Sequence, residues 1–112
     1  MPYMIYCLDL QDAGDLRKRT RAAHLEYMIA HQDKVLYGGP LQSDDGTRVL
    51  GSLMILSLKT RAEIDAFLET EPYTQARLFS ETRIARLRQM VPEHPPGLLQ
   101  SELAQERKTM TV

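Results

Sequence analysis

Cysteine is nearly absent from this 112-residue chain: Cys7 stands alone. A lone cysteine excludes an intramolecular disulfide and, with it, a disulfide-stapled secreted fold. Cys7 sits in an apolar run, where it reads either as a small buried hydrophobe or, less simply, as a nucleophile. Long apolar runs are absent too. No stretch approaches the roughly 18 to 20 residues that cross a bilayer, and the first residues lack the basic start and apolar centre of a signal peptide. The expectation is a soluble cytoplasmic protein with no membrane partner. An excess of one charge is also missing, since 14 Lys and Arg face 15 Asp and Glu for a net charge of -1. That balance excludes general binding to nucleic-acid backbones, which needs a clustered positive surface.

The cofactor and metal motifs are missing as well. There is no P-loop, no GxGxxG, no CxxC and no GxSxG elbow. Gly38-Gly39-Pro40 is too short to cradle a dinucleotide and does not lead into a helix. A helical zinc pair spaces its histidines i, i+4, whereas His24 and His31 are seven apart, roughly 10 Å along the axis. His94 lies far off in the tail. The sequence therefore predicts neither a metal nor a dinucleotide site.

What is present is an ordinary globular composition, 43% apolar and 26% charged, in a length that suits one domain with one modest core. Tyr3 to Leu10 reads as a strand, and Asp15 to Gln32 as a helix with Ala22, Leu25, Met28 and Ile29 on its apolar face. Val35 to Tyr37 reads as a short strand ended by Gly38-Gly39-Pro40. Asp44-Asp45-Gly46 marks a turn, and Val49 to Leu58 is the clearest strand. Thr60 and Glu63 have capping-box spacing and open a second helix. Pro72 disfavours helix in the residue before it, so that helix stops near Thr70. A helical turn follows from Pro72, and Thr82 to Val91 reads as the last strand. Strand, helix, strand, strand, helix, strand is the ferredoxin-like βαββαβ order, an α+β fold with an antiparallel sheet and two helices on one face. Residues 1–91 form the predicted domain. Residues 92–112 form a Pro-broken tail with a short polar helix near Gln100 to Lys108, read either as a flexible end or as a docking arm.

Both faces of the predicted sheet are apolar. Tyr3, Ile5 and Cys7 point one way and Met4, Tyr6 and Leu8 the other, while Leu53 and Ile55 oppose Met54 and Leu56. Two helices cover one face only, and an uncovered apolar patch marks an interface. The economical reading is a homodimer that packs sheet against sheet. A ligand cleft and coverage by the tail are the rivals.

The chemistry-bearing candidate is His24. Arg17, Arg21, His24, Met28 and His31 form one stripe along the first helix. The simplest reading of Arg17 and His31 is a solvated basic edge. His24 and Arg21 border the apolar face. On pattern alone His24 is open to two readings, a packed structural histidine or an acid/base group, and histidine is the side chain suited to proton transfer near neutral pH.

Five segments in order then carry a resemblance: Tyr3-Met4-Ile5-Tyr6, Arg21-Ala22-Ala23-His24-Leu25, Gly38-Gly39-Pro40-Leu41, Gly51-Ser52-Leu53-Met54-Ile55 and Glu71-Pro72-Tyr73. Together they resemble the YciI family (the YCII-related domain) of the dimeric α+β barrel superfamily, across roughly residues 2 to 91. The resemblance implies a sheet-to-sheet homodimer and an active site built on a histidine and an Asp-Pro-aromatic motif. The histidine falls on His24. The Asp position falls on Glu71, whose extra carbon displaces the carboxylate by up to about 1.5 Å. Arg21, Gly39, Pro40 and Tyr73 are the expected substrate-binding residues. The family precedents, a dehydrochlorinase of a chlorinated hydroxyquinol and muconolactone isomerases, imply lyase- or isomerase-type proton transfer on a small cyclic or anionic molecule, without metal or organic cofactor. The alternative is a non-catalytic small-molecule-binding or accessory protein of the same fold. A monooxygenase or haem-degrading relative is a third reading, and no redox or haem signature accompanies it.

Overall fold

The computed structural model describes residues 2–110. Its elements are β1 (Tyr3–Asp9), α1 (Leu16–Ala30), a 3-10 turn (Gln32–Lys34), β2 (Val35–Gln42), β3 (Val49–Leu56), α2 (Arg61–Thr70), α3 (Pro72–Gln75), β4 (Phe79–Arg86) and α4 (Leu98–Met110). The sheet order is β2-β3-β1-β4, with every neighbouring pair antiparallel. This is the expected ferredoxin-like α+β arrangement. Met1, Thr111 and Val112, the ends of the two predicted chain regions, lie outside the described residues.

Alternation along the central strands builds the core. Tyr3, Ile5 and Cys7 of β1 are buried with Met54 and Leu56 of β3, against Ile64, Phe67 and Leu68 of α2. Ile64, Phe67 and Leu68 recur at helical spacing and form the buried stripe of α2. Thr60 caps α2 by accepting from the Glu63 N–H at 3.2 Å, and the helix stops at Thr70 before Glu71-Pro72, as the proline requires. The opposite sheet face carries Met4, Tyr6 and Leu8, which stand beside Ile55, Leu53 and Gly51 of β3. On the β4 side the same three residues stand beside Ala85, Arg83 and Glu81. None of the helices α1 to α3 covers this face, so its middle is apolar and its β4 rim is charged.

Two strand boundaries differ from expectation. β2 does not end at Gly38-Gly39-Pro40 but runs through them to Gln42, with Pro40 opposite Ser52. β2 is an edge strand, where a proline without an N–H is tolerated. Gly38 is required there, because a Cβ would stand 2.7 Å from the Leu53 carbonyl oxygen. Gly51 is more demanding still, since a Cβ would stand 1.9 Å from the Cys7 carbonyl oxygen. β4 begins at Phe79 and ends at Arg86, three to five residues earlier than the reading Thr82 to Val91. The cause is α3, a single turn that ends at Gln75, after which Arg77 takes a left-handed φ of 59° and turns the chain straight back into the sheet. Ile84 still anchors the strand, opposite Ile5.

The orientation of α1 is the largest correction. No residue of α1 is fully buried, and Leu25 and Ile29, expected on its inner face, are 40% and 68% exposed. Its inner side instead presents Arg17, His24, Tyr27 and Met28. The Tyr27 hydroxyl, 2.9 Å from Thr70 Oγ1, donates to the Phe67 carbonyl at 2.7 Å, so a polar contact ties α1 to α2 beside the packing of Tyr27 and Met28 on the core. His31 packs at a tilt against Tyr27 and edge-on to Phe67 and meets the Lys34 ammonium at 2.9 Å, so it is a packed residue rather than part of a solvated edge.

Beyond the sheet, α4 stands away from the body in a molecule measuring 58 × 31 × 20 Å. An Arg88–Glu102 ion pair ties it to the chain that leads to it. Leu99 and Leu103 on α4 are each 42% exposed. Among the described residues no helix is long and apolar enough to cross a membrane.

Candidate active site

A pocket of about 600 Å³ lies between α1 and the β2–β3 side of the sheet. Its walls come from the end of β1, the loop into α1, the inner side of α1, β2, β3 and Tyr73. His24, Arg21, Gly39, Pro40 and Tyr73, all expected from the sequence, line this one pocket. Glu71 lies behind His24, with its side chain 1% exposed.

Local chain chemistry places Glu71. It ends α2 and caps α3 by accepting from the Tyr73 N–H at 3.1 Å and the Thr74 N–H at 3.0 Å, while the Thr74 hydroxyl adds a contact at 3.2 Å. The remaining capacity of the carboxylate goes to His24: Glu71 Oε1 is 2.7 Å from His24 Nδ1. The extra carbon of Glu relative to Asp therefore does not prevent contact. Burial alone would raise the Glu71 carboxyl, but the hydrogen bond from His24 and the backbone donors of Thr74 and Tyr73 outweigh it and hold the group below its ordinary value of 4.5. Glu71 is thus an ionised, acceptor-only group. It follows that His24 Nδ1 carries the proton in this bond, which leaves Nε2 for the pocket. The His24 ring is further fixed by Tyr73, which stacks on it at 4.1 Å with 18° between planes.

The other end of the pocket holds residues that sequence reasoning missed. Arg17 is not on a solvated edge: its side chain is 18% exposed and is gripped by Asp9 through Nε and Nη2, both at 2.8 Å. Nη2 also donates to Ser52 Oγ at 3.1 Å. The guanidinium carbon lies 4.6 Å from the centre of the Tyr73 ring. Arg17 and His24 are two helical turns apart, and the Tyr73 ring fills the interval between them. Burial works against the guanidinium charge, but Asp9 more than offsets it, so Arg17 is held above its ordinary value. Burial also pushes the Tyr73 hydroxyl up, with Arg17 and Arg21 pulling the other way. No local spacing announces this cluster, since Asp9, Arg17 and Ser52 come from a strand end, a helix start and a second strand. Arg21, the expected anion ligand, is exposed at the rim.

Cys7 lies within the core, where burial pushes its thiol up. Among the described residues, no three His, Cys, Asp or Glu side chains converge as a metal-binding group.

Comparison with solved structures places the geometry among known relatives. The chain is similar to 5-chloro-2-hydroxyhydroquinone dehydrochlorinase from Burkholderia phenoliruptrix, solved in complex with 2,5-dihydroxybenzoquinone. The two share 29% identity and a TM-score of 0.75, over 83% of this chain and 99% of that one. A Nitrosomonas europaea protein assigned to the antibiotic biosynthesis monooxygenases matches at 19% identity and a TM-score of 0.48, over 82% of this chain and 91% of that one. A comparison with curated proteins gave no match. The family model of the YCII-related domain covers residues 1–88, and the chain belongs to that family.

Proposed function

We propose that this protein is an enzyme that moves protons on a small cyclic, anionic substrate, in a lyase- or isomerase-type reaction that His24 and Glu71 carry without a metal or organic cofactor. The observation that carries this reading is the 2.7 Å His24–Glu71 hydrogen bond at the wall of the pocket. Glu71 accepts a hydrogen bond from the protonated Nδ1, so Nε2 presents its lone pair to the substrate. In the forward step Nε2 takes a proton from a carbon or hydroxyl of the ring. The electron pair left behind forms a new double bond, and either a chloride leaves or the negative charge moves to a ring oxygen. The resulting imidazolium is stabilised by the Glu71 carboxylate beside it. In an isomerisation the same proton returns to a different carbon. Gly39 and Pro40 form the wall opposite α1, and the Tyr73 hydroxyl and Arg21 are the polar contacts for the ring. The dehydrochlorinase relative and its bound quinone support a ring-shaped substrate of this kind.

The test is turnover of a panel of halogenated hydroquinones and lactones. His24→Ala is expected to lower turnover by about 10³-fold in a protein that keeps the circular dichroism of the folded parent, at a melting temperature lowered by the loss of Glu71's partner. Turnover that His24→Ala leaves intact overturns the assignment. Specific ligand binding without turnover by the parent would instead favour the binding or accessory role.

We also propose that the protein works in the cytoplasm as a homodimer joined through the Met4, Tyr6, Leu53 and Ile55 face. Burying each such side chain contributes roughly 1.5 to 3 kcal/mol. Light scattering is expected to give twice the chain mass of 12.8 kDa, and Tyr6→Glu is expected to return it to the single-chain value. A monomeric parent would refute the dimer.

A further inference from the structure

Within the reading of the pocket as a substrate site, we infer that Arg17 is its anion-recognition residue, gripping a negatively charged oxygen of the ring substrate and setting where the ring stands relative to His24. The argument begins with donor accounting. A guanidinium has five N–H groups in a planar fork. Asp9 and Ser52 occupy Nε and Nη2. The two N–H groups of Nη1 take part in none of these bonds, and Arg17 lines the pocket together with Ser52 and Tyr73. The fork cannot swing away, because Asp9 holds it on two nitrogens and the Tyr73 ring lies against it. Such a group meets an anion without first losing side-chain freedom, which is how preorganisation raises affinity.

The charge balance agrees. The two acids that line the pocket already have partners, Asp9 in Arg17 and Asp15 in Arg19 at 2.8 Å. Lys18 and Arg21 line the same pocket and make no hydrogen bond among the described residues, so the open cavity is left with surplus positive charge. Placement agrees as well. The Arg17 guanidinium carbon lies 4.6 Å and the His24 ring centre 4.1 Å from the centre of the same Tyr73 ring, so both groups face one stretch of the pocket wall. A single ring lying beside Tyr73, with a carboxylate, enolate or phenolate oxygen on Arg17, brings its far side to His24. Arg17 makes this contact itself, while Asp9 and Ser52 act through it.

The test is binding, which does not depend on turnover. Calorimetry would compare 2,5-dihydroxybenzoate with its neutral carboxamide on the full chain. The parent is expected to prefer the carboxylate at least tenfold. Arg17→Gln alone strands Asp9, so the working variant is Arg17→Gln with Asp9→Asn, which removes both charges together. Arg17→Lys is the second variant, keeping the charge opposite Asp9 without the fork. Both are expected to bring the preference within about twofold, whereas Arg61→Gln, a charge change at an exposed pair on α2 away from the pocket, keeps it. A preference that persists in the folded double variant, or one absent from the parent, overturns the inference. If the preference depends on Arg17 but no ring is turned over, the anion site stands and the catalytic reading fails. If His24 is required for turnover and the preference ignores Arg17, the catalytic reading stands and this inference fails.

Discussion

Two buried pairs hang from the same side of α1, two turns apart, and they behave differently. Arg17–Asp9 joins a permanently charged fork to a carboxylate through two parallel hydrogen bonds. Its donor cannot lose a proton near neutral pH, so it can only hold and orient. His24–Glu71 joins a titratable ring to a carboxylate with three further contacts from α3. There the carboxylate cannot move and the imidazole can exchange a proton. Tyr73 lies against both, so one ring joins the proposed anchoring end to the proposed reactive end. The difference teaches that the type of the basic partner, more than the presence of an ion pair, decides which end does chemistry.

Breaking the reactive end has the largest expected effect. His24→Ala is expected to lower turnover by about 10³-fold, within the range for loss of a general acid or base, with a melting temperature lowered because Glu71 loses its partner. Stopped-flow or steady-state assays check this. Glu71→Ala removes both the partner of His24 and the acceptor that caps α3. Its expected cost is about 2 kcal/mol of stability together with about 10²-fold in turnover, measured by urea unfolding and kinetics on the same preparation.

The pH response separates the ends more finely. Glu71 is held below its ordinary 4.5 in the folded state, so the unfolded chain takes up its proton first as acid is added. The stability Glu71 contributes is complete above about pH 4.5 and is lost as pH falls through its lower folded value. Glu71→Gln is expected to flatten that part of the stability–pH curve. An unchanged acid limb would show that the carboxylate is not held in the way described.

At the anchoring end, Arg17→Lys is expected to raise KM about tenfold with kcat changed much less, because it weakens positioning of the ring rather than proton transfer. An equal fall in kcat and kcat/KM would place Arg17 in the reactive step instead. The smallest effect belongs to Arg19→Gln. Arg19 and Asp15 form an exposed pair on the outer side of α1, and its loss is expected to change stability by less than about 0.5 kcal/mol. A larger loss would mean that the start of α1, and with it Arg17, depends on that surface pair.

Much of the fold was legible in the chain because its signals are local. The Thr60 cap, the Glu71-Pro72 stop and the alternation in β1 and β3 act over a few residues, and each appears where its spacing puts it. The Gly38-Gly39-Pro40 segment misled, because glycine and proline break a strand in general but not one whose outer edge faces solvent. The apolar residues of α1 misled for a related reason. Leu25 and Ile29 have core spacing, yet the polar side of that helix turns inward because its partners wait there.

His24 and Glu71 were singled out as a candidate site through the ordered family-like motifs, although their spacing said nothing of contact. Arg17 was not recognisable, because an arginine near a helix start has the same local pattern whether it is solvated or clamped. The sequence by itself determined the order of strands and helices, the helix ends and the apolar character of both sheet faces, since propensity, capping and side-chain alternation are properties of neighbouring residues. Only the tertiary structure decided that Asp9 meets Arg17 and that Glu71 meets His24 across 47 positions of sequence. A buried charge is tolerated only where a partner of matching geometry stands beside it, and that is set by how α1 lies over β1 and α3.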